Sequence, residues 1–141
     1  KGTARILPDY IGKASAIVFS DHNTLIYYDW GDYSSLEKSS SFVRRYRIDT
    51  GQDELCAEFG GIIHQPIFSP DGGQIAMERQ TELRQVQTIV INGKSIVRRF
   101  EGWRLIGWRD SKRTILADYG NTPKRMALGD IDTGQIQQFY P

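Results

Sequence analysis

The chain has 141 residues, 39% of them hydrophobic and 25% charged, with a formal net charge of +1. That balance suits one globular domain with a sizeable core and is too mild to imply a nucleic-acid partner by itself. Cys56 is the only cysteine, so an intrachain disulfide is excluded. No apolar run approaches the roughly 18–20 residues of a membrane helix, and Lys1-Gly2-Thr3-Ala4-Arg5 lacks the shape of a signal peptide.

In chain order, apolar runs of a few residues alternate with turn residues, the pattern of an all-β chain. A lone strand is expected near Arg5–Tyr10. Three sets of four strands follow, at about 15–19, 24–29, 42–49 and 53–59, then 63–68, 74–79, 86–91 and 95–100, then 104–108, 113–118, 125–131 and 135–140. Phe68-Ser69-Pro70-Asp71-Gly72-Gly73-Gln74-Ile75-Ala76-Met77 is the clearest unit, a strand end, a tight turn and a second strand. Weaker copies begin at Phe19 and Trp108, so the spacings between the anchoring aromatics are 49 and 40 residues. A second motif recurs in phase. Ile48-Asp49-Thr50-Gly51-Gln52 returns as Ile131-Asp132-Thr133-Gly134-Gln135, and Ile91-Asn92-Gly93-Lys94 holds the same slot between them. Such turns place glycine where a positive φ is needed. Cys56 is expected as a small apolar strand residue.

Four short strands repeating every 40–50 residues or so are the signature of propeller blades. A β-sandwich needs similar strands but predicts no in-phase repeat. The sequence Phe68-Ser69-Pro70-Asp71-Gly72, followed by Ile75-Ala76, an apolar strand and a turn glycine, resembles the PD40-type repeat of TolB-type, WD40-like β-propellers. The first unit departs from it with Asp21-His22-Asn23, and the third keeps only Trp108-Arg109-Asp110-Ser111. The resemblance implies a module that binds protein or peptide partners in the bacterial envelope, periplasmic or extracytoplasmic, or one that gates a peptidase. It identifies a blade and no activity.

The expected domain is thus a single propeller-like unit over 1–141. Its blades fall at about 13–59, 60–100 and 101–141, and residues 1–12 supply the outer strand of a missing or partner blade. Closed propellers have about 4–8 blades, so three cannot form a ring. Two arrangements answer this: the chain is part of a longer propeller, or two copies join as a homodimer into a six-bladed ring. Residues 1–93 carry 9 basic and 12 acidic side chains, and residues 94–141 carry 9 and 5. The halves are therefore opposite in sign, −3 and +4, which suits head-to-tail contact.

Candidate binding residues lie on the connections that share one end of the blades. Residues 29–41 form an unusually long connection in which Trp30 and Tyr33 offer aromatic anchors. The third unit interleaves aromatic and basic residues, including Trp103 and Arg104, with Tyr119 and Arg125 on the neighbouring connection. Such a mixture suits a partner surface, or a single-stranded nucleic acid. The preferred reading of the basic run is a solvated edge whose aromatics are core, so nucleic acid is disfavoured. No catalytic residues, metal ligands or cofactor motif are assigned. Asp29, Asp32 and Glu37 lack the spacing of a calcium loop, and His22 and His64 have no zinc-ligand partners in sequence. The expected function is non-enzymatic binding. The alternatives are an accessory propeller of a hydrolase and a nucleic-acid surface on the third blade.

Overall fold

The computed structural model describes residues 6–9, 16–19, 21–30, 40–81, 85–120 and 125–140. They form twelve strands. The first blade is β1 (Ala16–Phe19), β2 (Thr24–Trp30), β3 (Ser40–Arg47) and β4 (Asp53–Gly60). The second is β5 (Ile62–Phe68), β6 (Ile75–Gln80), β7 (Val86–Asn92) and β8 (Ser95–Glu101), and the third is β9 (Trp103–Asp110), β10 (Arg113–Asp118), β11 (Met126–Asp130) and β12 (Ile136–Tyr140). Each set is a separate four-stranded antiparallel sheet in sequential order. The architecture is therefore all-β, three propeller blades and part of a propeller.

The pairings Phe19↔Leu25, Phe68↔Ile75 and Trp108↔Thr114 put the three anchoring aromatics in one slot of the repeat. The turns after them share a device. The carboxylates of Asp21, Asp71 and Asp110 each accept the backbone N–H two residues on, from Asn23, Gly73 and Lys112, at 2.7, 3.1 and 3.0 Å. These are Asx turns, so the role of the aspartates is conformational. The turn at Gly72 is tightened further: the Ser69 hydroxyl donates to Asp71 at 2.6 Å and accepts the Gln74 N–H at 2.9 Å.

The inner strand of each blade lies against the sheet before it. Strand β5 contacts β1, β2 and β3, and β9 contacts β5, β6 and β7. Alternation along the strands sends one set of side chains to each neighbour. Ile26, Tyr28, Val43 and Cys56 of the first blade meet Ile63, Ile75, Met77, Ile89 and Ile91 of the second. Ala76, Val90 and Phe100 then meet Leu105, Leu116 and Ile131 of the third. Covered on both sides, β7 is buried from Val86 to Ile91, as a strand sandwiched between two layers must be. Polar bonds stitch the same interfaces. The Trp108 indole N–H donates to the Ile67 carbonyl at 2.9 Å, and the Thr88 hydroxyl donates to the Trp103 carbonyl at 2.9 Å. Arg98 on β8 donates from Nε to the Ile131 carbonyl at 2.7 Å and from Nη2 to the Asp132 carbonyl at 2.8 Å, gripping the turn of the next blade.

The strand expected near Arg5–Tyr10 is not formed by the residues described there. Ile6, Leu7 and Pro8 belong to no strand and Asp9 is helical, while Arg5 and Tyr10 lie outside the described residues. Pro8 has no amide hydrogen to give to a ladder. Leu7 instead packs on Leu25, Tyr27 and Tyr46, the face of the first blade turned away from the second.

Candidate cleft at the loop end of the second and third blades

Strands β2, β6 and β10 end, and β3, β7 and β11 begin, at the same end as the links between blades. At that end lies a cleft of about 450 Å³ lined by Tyr28, His64, Glu78, Gln80, Val86, Arg104 and Tyr119. Its size is that of a small-ligand site. The strands dictate its lining. Ile75, Ala76 and Met77 are buried apolar residues, and Glu78 continues the same strand. His64 and Thr88 pair with Glu78 across the sheet, so all three side chains share the face turned to the third blade.

A carboxylate buried as deeply as that of Glu78, only 10% exposed, needs a partner. Arg104, near the start of β9, supplies it by donating from Nε to Glu78 Oε2 at 3.0 Å. Hydrogen bonding and attraction from Glu78 raise the Arg104 pKa further, so the guanidinium stays charged. Its Cζ lies over the Tyr119 ring, 5.7 Å from the centroid, within reach of a cation–π contact. A second unit of the same kind stands beside it. Arg125 donates from both Nε and Nη2 to Asp118, and it lies over the Trp103 ring at 6.0 Å. Asp118 is buried and ends β10, and Trp103 pairs with it at the head of β9.

Trp103, Arg104, Tyr119 and Arg125, candidates that sequence reading drew from two separate connections, are therefore brought together. Trp30 is the last residue of β2, but its side chain lies outside the described residues, as do Tyr33 and the rest of 31–39. Tyr28, His64, Glu78, Gln80 and Val86 were not anticipated as site residues. One signal did point to them: Glu78 follows the apolar run Ile75-Ala76-Met77 directly on the same strand, and a charge on a buried strand asks for a partner. That partner sits 26 residues away on the next blade, which no local pattern reveals.

Several basic side chains of the third unit are already engaged. Lys112 pairs with Asp132 at 2.9 Å and Arg113 with Asp110 at 2.6 Å, Arg98 is spent on backbone carbonyls, and Arg104 and Arg125 hold carboxylates. Among the described residues no group of three or more His, Cys, Asp or Glu side chains is placed to hold a metal ion, and no helix is long and apolar enough to cross a membrane.

No family model and no curated protein matches the sequence. Solved structures do. The β-propeller domain of the Trilobed protease from Pyrococcus furiosus, which has an open velcro topology, aligns with 91% of this chain at TM-score 0.61 and 14% identity. The protein lmo1340 from Listeria monocytogenes EGD-e aligns with 85% at TM-score 0.65 and 11% identity. A putative TolB from Agrobacterium tumefaciens aligns with 84% at TM-score 0.57 and 18% identity. The chain spans 44%, 37% and 46% of those proteins, less than half of each. At these identities the likeness is one of fold. It agrees with the TolB-type repeat read from the Phe68–Met77 stretch.

Proposed function

We propose that this chain is the ligand-bearing part of a propeller, a non-enzymatic module that holds a peptide, protein or small-molecule partner in the cleft lined by all three blades, whose paired charges come from the second and third. The observation that carries this reading is the cleft itself. Its charged groups come from two blades and are fixed by each other before any partner arrives, and pre-ordered groups lower the cost of binding. Trp103, Tyr119 and Arg125 extend the same surface with residue types that dominate binding energies at interfaces. Titrating a panel of short peptides and sugars into the isotope-labelled chain tests it. Ligands should move the backbone amide resonances of Tyr28, His64, Glu78, Arg104 and Tyr119 first. Binding that moves only resonances remote from these overturns the reading.

The accessory-propeller reading is favoured by one observation, the likeness to the propeller domain of a protease. A hydrolase signature such as Gly-x-Ser-x-Gly in the same reading frame would favour it over the stand-alone binder. Nucleic-acid binding ranks below both, because so many of the basic side chains already have partners.

The same proposal includes a blade-to-blade contact. The pairing registers make Ile26, Tyr28 and Val43 equivalent to Ile115, Ala117 and Met126, and Cys56 equivalent to Phe139 at a shared bulge. In the first blade these positions are buried beneath the second. In the third, Phe139 is 54% exposed. A further blade is expected there, contributed by a longer chain or by a second copy in a six-bladed ring. Leu7 already covers the far face of the first blade, which a second copy would have to share. Light scattering at micromolar concentration distinguishes the two: a clean monomer excludes the ring of two copies.

A further inference from the structure

Within the proposed cleft, one group is built to receive a particular chemistry. Arg104 has five N–H donors in a planar fork. Among the described residues Nε is committed to Glu78, and Cζ lies over the Tyr119 ring. The two Nη amino groups have no hydrogen-bond partner among those residues. The head group is thus held through Nε beside the Tyr119 ring, and its outer edge, Nη1 with Nη2, remains for a ligand of the cleft that Arg104 lines. That arrangement is what a bidentate contact with a planar oxyanion requires, and the rotamer entropy usually lost on forming it has already been spent.

We infer that the outer edge of Arg104 is the receptor for a carboxylate group of a small ligand. This rests on the reading of the cleft as the binding site and adds the chemistry of what enters it. The charges of Glu78 and Arg104 cancel as a pair, and those of Asp118 and Arg125 do likewise. Attraction across long distance is therefore weak, and selectivity comes from paired, directed hydrogen bonds. A planar carboxylate gains both bonds, and its amide, which presents one acceptor oxygen beside an NH₂ donor, gains one. Val86, Tyr28, Gln80 and His64 line the same cleft, so apolar and polar surface both surround whatever carries the carboxylate. Binding of this kind depends little on salt, unlike attraction to a basic patch.

A carboxylate of this sort is carried by the C-terminus of a peptide and by a sugar acid, and one experiment separates them. Backbone amide resonances are followed while N-acetyl-leucine, N-acetyl-leucinamide, glucuronate and glucose are titrated separately into the labelled chain. At least one acid is expected to move the resonances of Glu78, Arg104 and Tyr119, with its neutral counterpart binding at least tenfold more weakly. The acid that binds names the source. Arg104→Lys keeps the charge and the contact with Glu78 but loses the fork, so the preference for the acid should fall to less than threefold. Arg104→Gln should abolish it, with amide dispersion reporting whether the chain remains folded. Equal binding of acid and neutral form at the cleft overturns the carboxylate inference and leaves the cleft standing as a site. An acid preference undiminished in Arg104→Lys overturns the role of the fork, and no response to any of the four probes overturns the inference for these ligand classes. The failure of the cleft as a site has a different signature, ligands from the wider panel that move only remote resonances.

Discussion

Arg98 ties the second blade to the third through the turn at Gly134, and two alanine substitutions isolate what that tie contributes. Gly72 and Gly134 have nearly the same backbone, with φ of 73° and 78°. A methyl group added at Gly72 meets nothing within 4 Å, whereas at Gly134 it would stand 2.7 Å from Arg98 Nη1. Left-handed backbone costs an alanine about 1–2 kcal/mol. The reduced freedom of the unfolded chain returns about 0.4–1 kcal/mol, so Gly72→Ala should destabilise by about 1 kcal/mol. Gly134→Ala carries the same penalty and also displaces Arg98 from the Ile131 and Asp132 carbonyls. Hydrogen bonds to a charged group contribute about 1.5–3 kcal/mol when well shielded. Arg98 is only partly buried, and a discount for solvent leaves about 1–2 kcal/mol for the pair. With a urea slope of about 2 kcal/mol/M, the unfolding midpoint should fall by about 0.5 M for Gly72→Ala and by about 1–1.5 M for Gly134→Ala. In an Arg98→Met background the two alanine variants should become equal, the signature of a coupled pair in a double-mutant cycle. Equal midpoint shifts in the parent chain would refute the argument, for they would mean that the guanidinium moves aside at no cost.

Two further outcomes follow from the core. Gly129 faces Leu116 and Phe100, and an added Cβ would lie 2.7 Å from Leu116 Cδ1 and 2.8 Å from Phe100 Cζ. Gly129→Ala should therefore destabilise by about 1–3 kcal/mol through overpacking alone, and an unchanged thermal midpoint would show that the layer between the blades has slack. Tyr27 donates its hydroxyl to Asp53 Oδ2 at 2.8 Å. Burial first, and then Asp53, push its pKa well above the ordinary value of 10.0. The neutral phenol is thus favoured in the folded chain, so its stabilisation is complete below the unfolded pKa and is lost as pH climbs past about 10 towards the folded value. Thermal midpoints measured from pH 8 to pH 11 should drop more steeply in the parent than in Tyr27→Phe, and parallel curves would count against this assignment.

The blades were legible because their signals are local. Alternating apolar residues, Asx turns and positive-φ glycines are each written within a few residues, and they set the strand bounds to within one or two positions. The segment at 5–10 misled because its apolar residues Ile6 and Leu7 suggest a strand, whereas Pro8 deprives the ladder of a donor. The site was legible only in part. Trp103, Arg104, Tyr119 and Arg125 stood out as aromatic and basic residues on connections, but their ordering by Glu78 and Asp118 depends on burial and on contacts between strands and blades. Those relations come from the stacking of sheets, which periodicity locates only approximately. The engagement of Arg98 and Arg125 was illegible for the same reason, since a count of charges does not show which groups they meet.

A single residue separates β4 from β5, and a single residue separates β8 from β9. These are Gly61 and Gly102, both with positive φ. One residue spans at most about 3.6 Å. A link of that length makes the first strand of one blade start beside the last strand of the blade before it. Gly61 is also held by the Ser41 hydroxyl on its carbonyl at 2.7 Å and by its close approach to the Gln80 carbonyl. The second blade and the third are therefore each delivered directly against the sheet before them, and order along the chain becomes order of stacking.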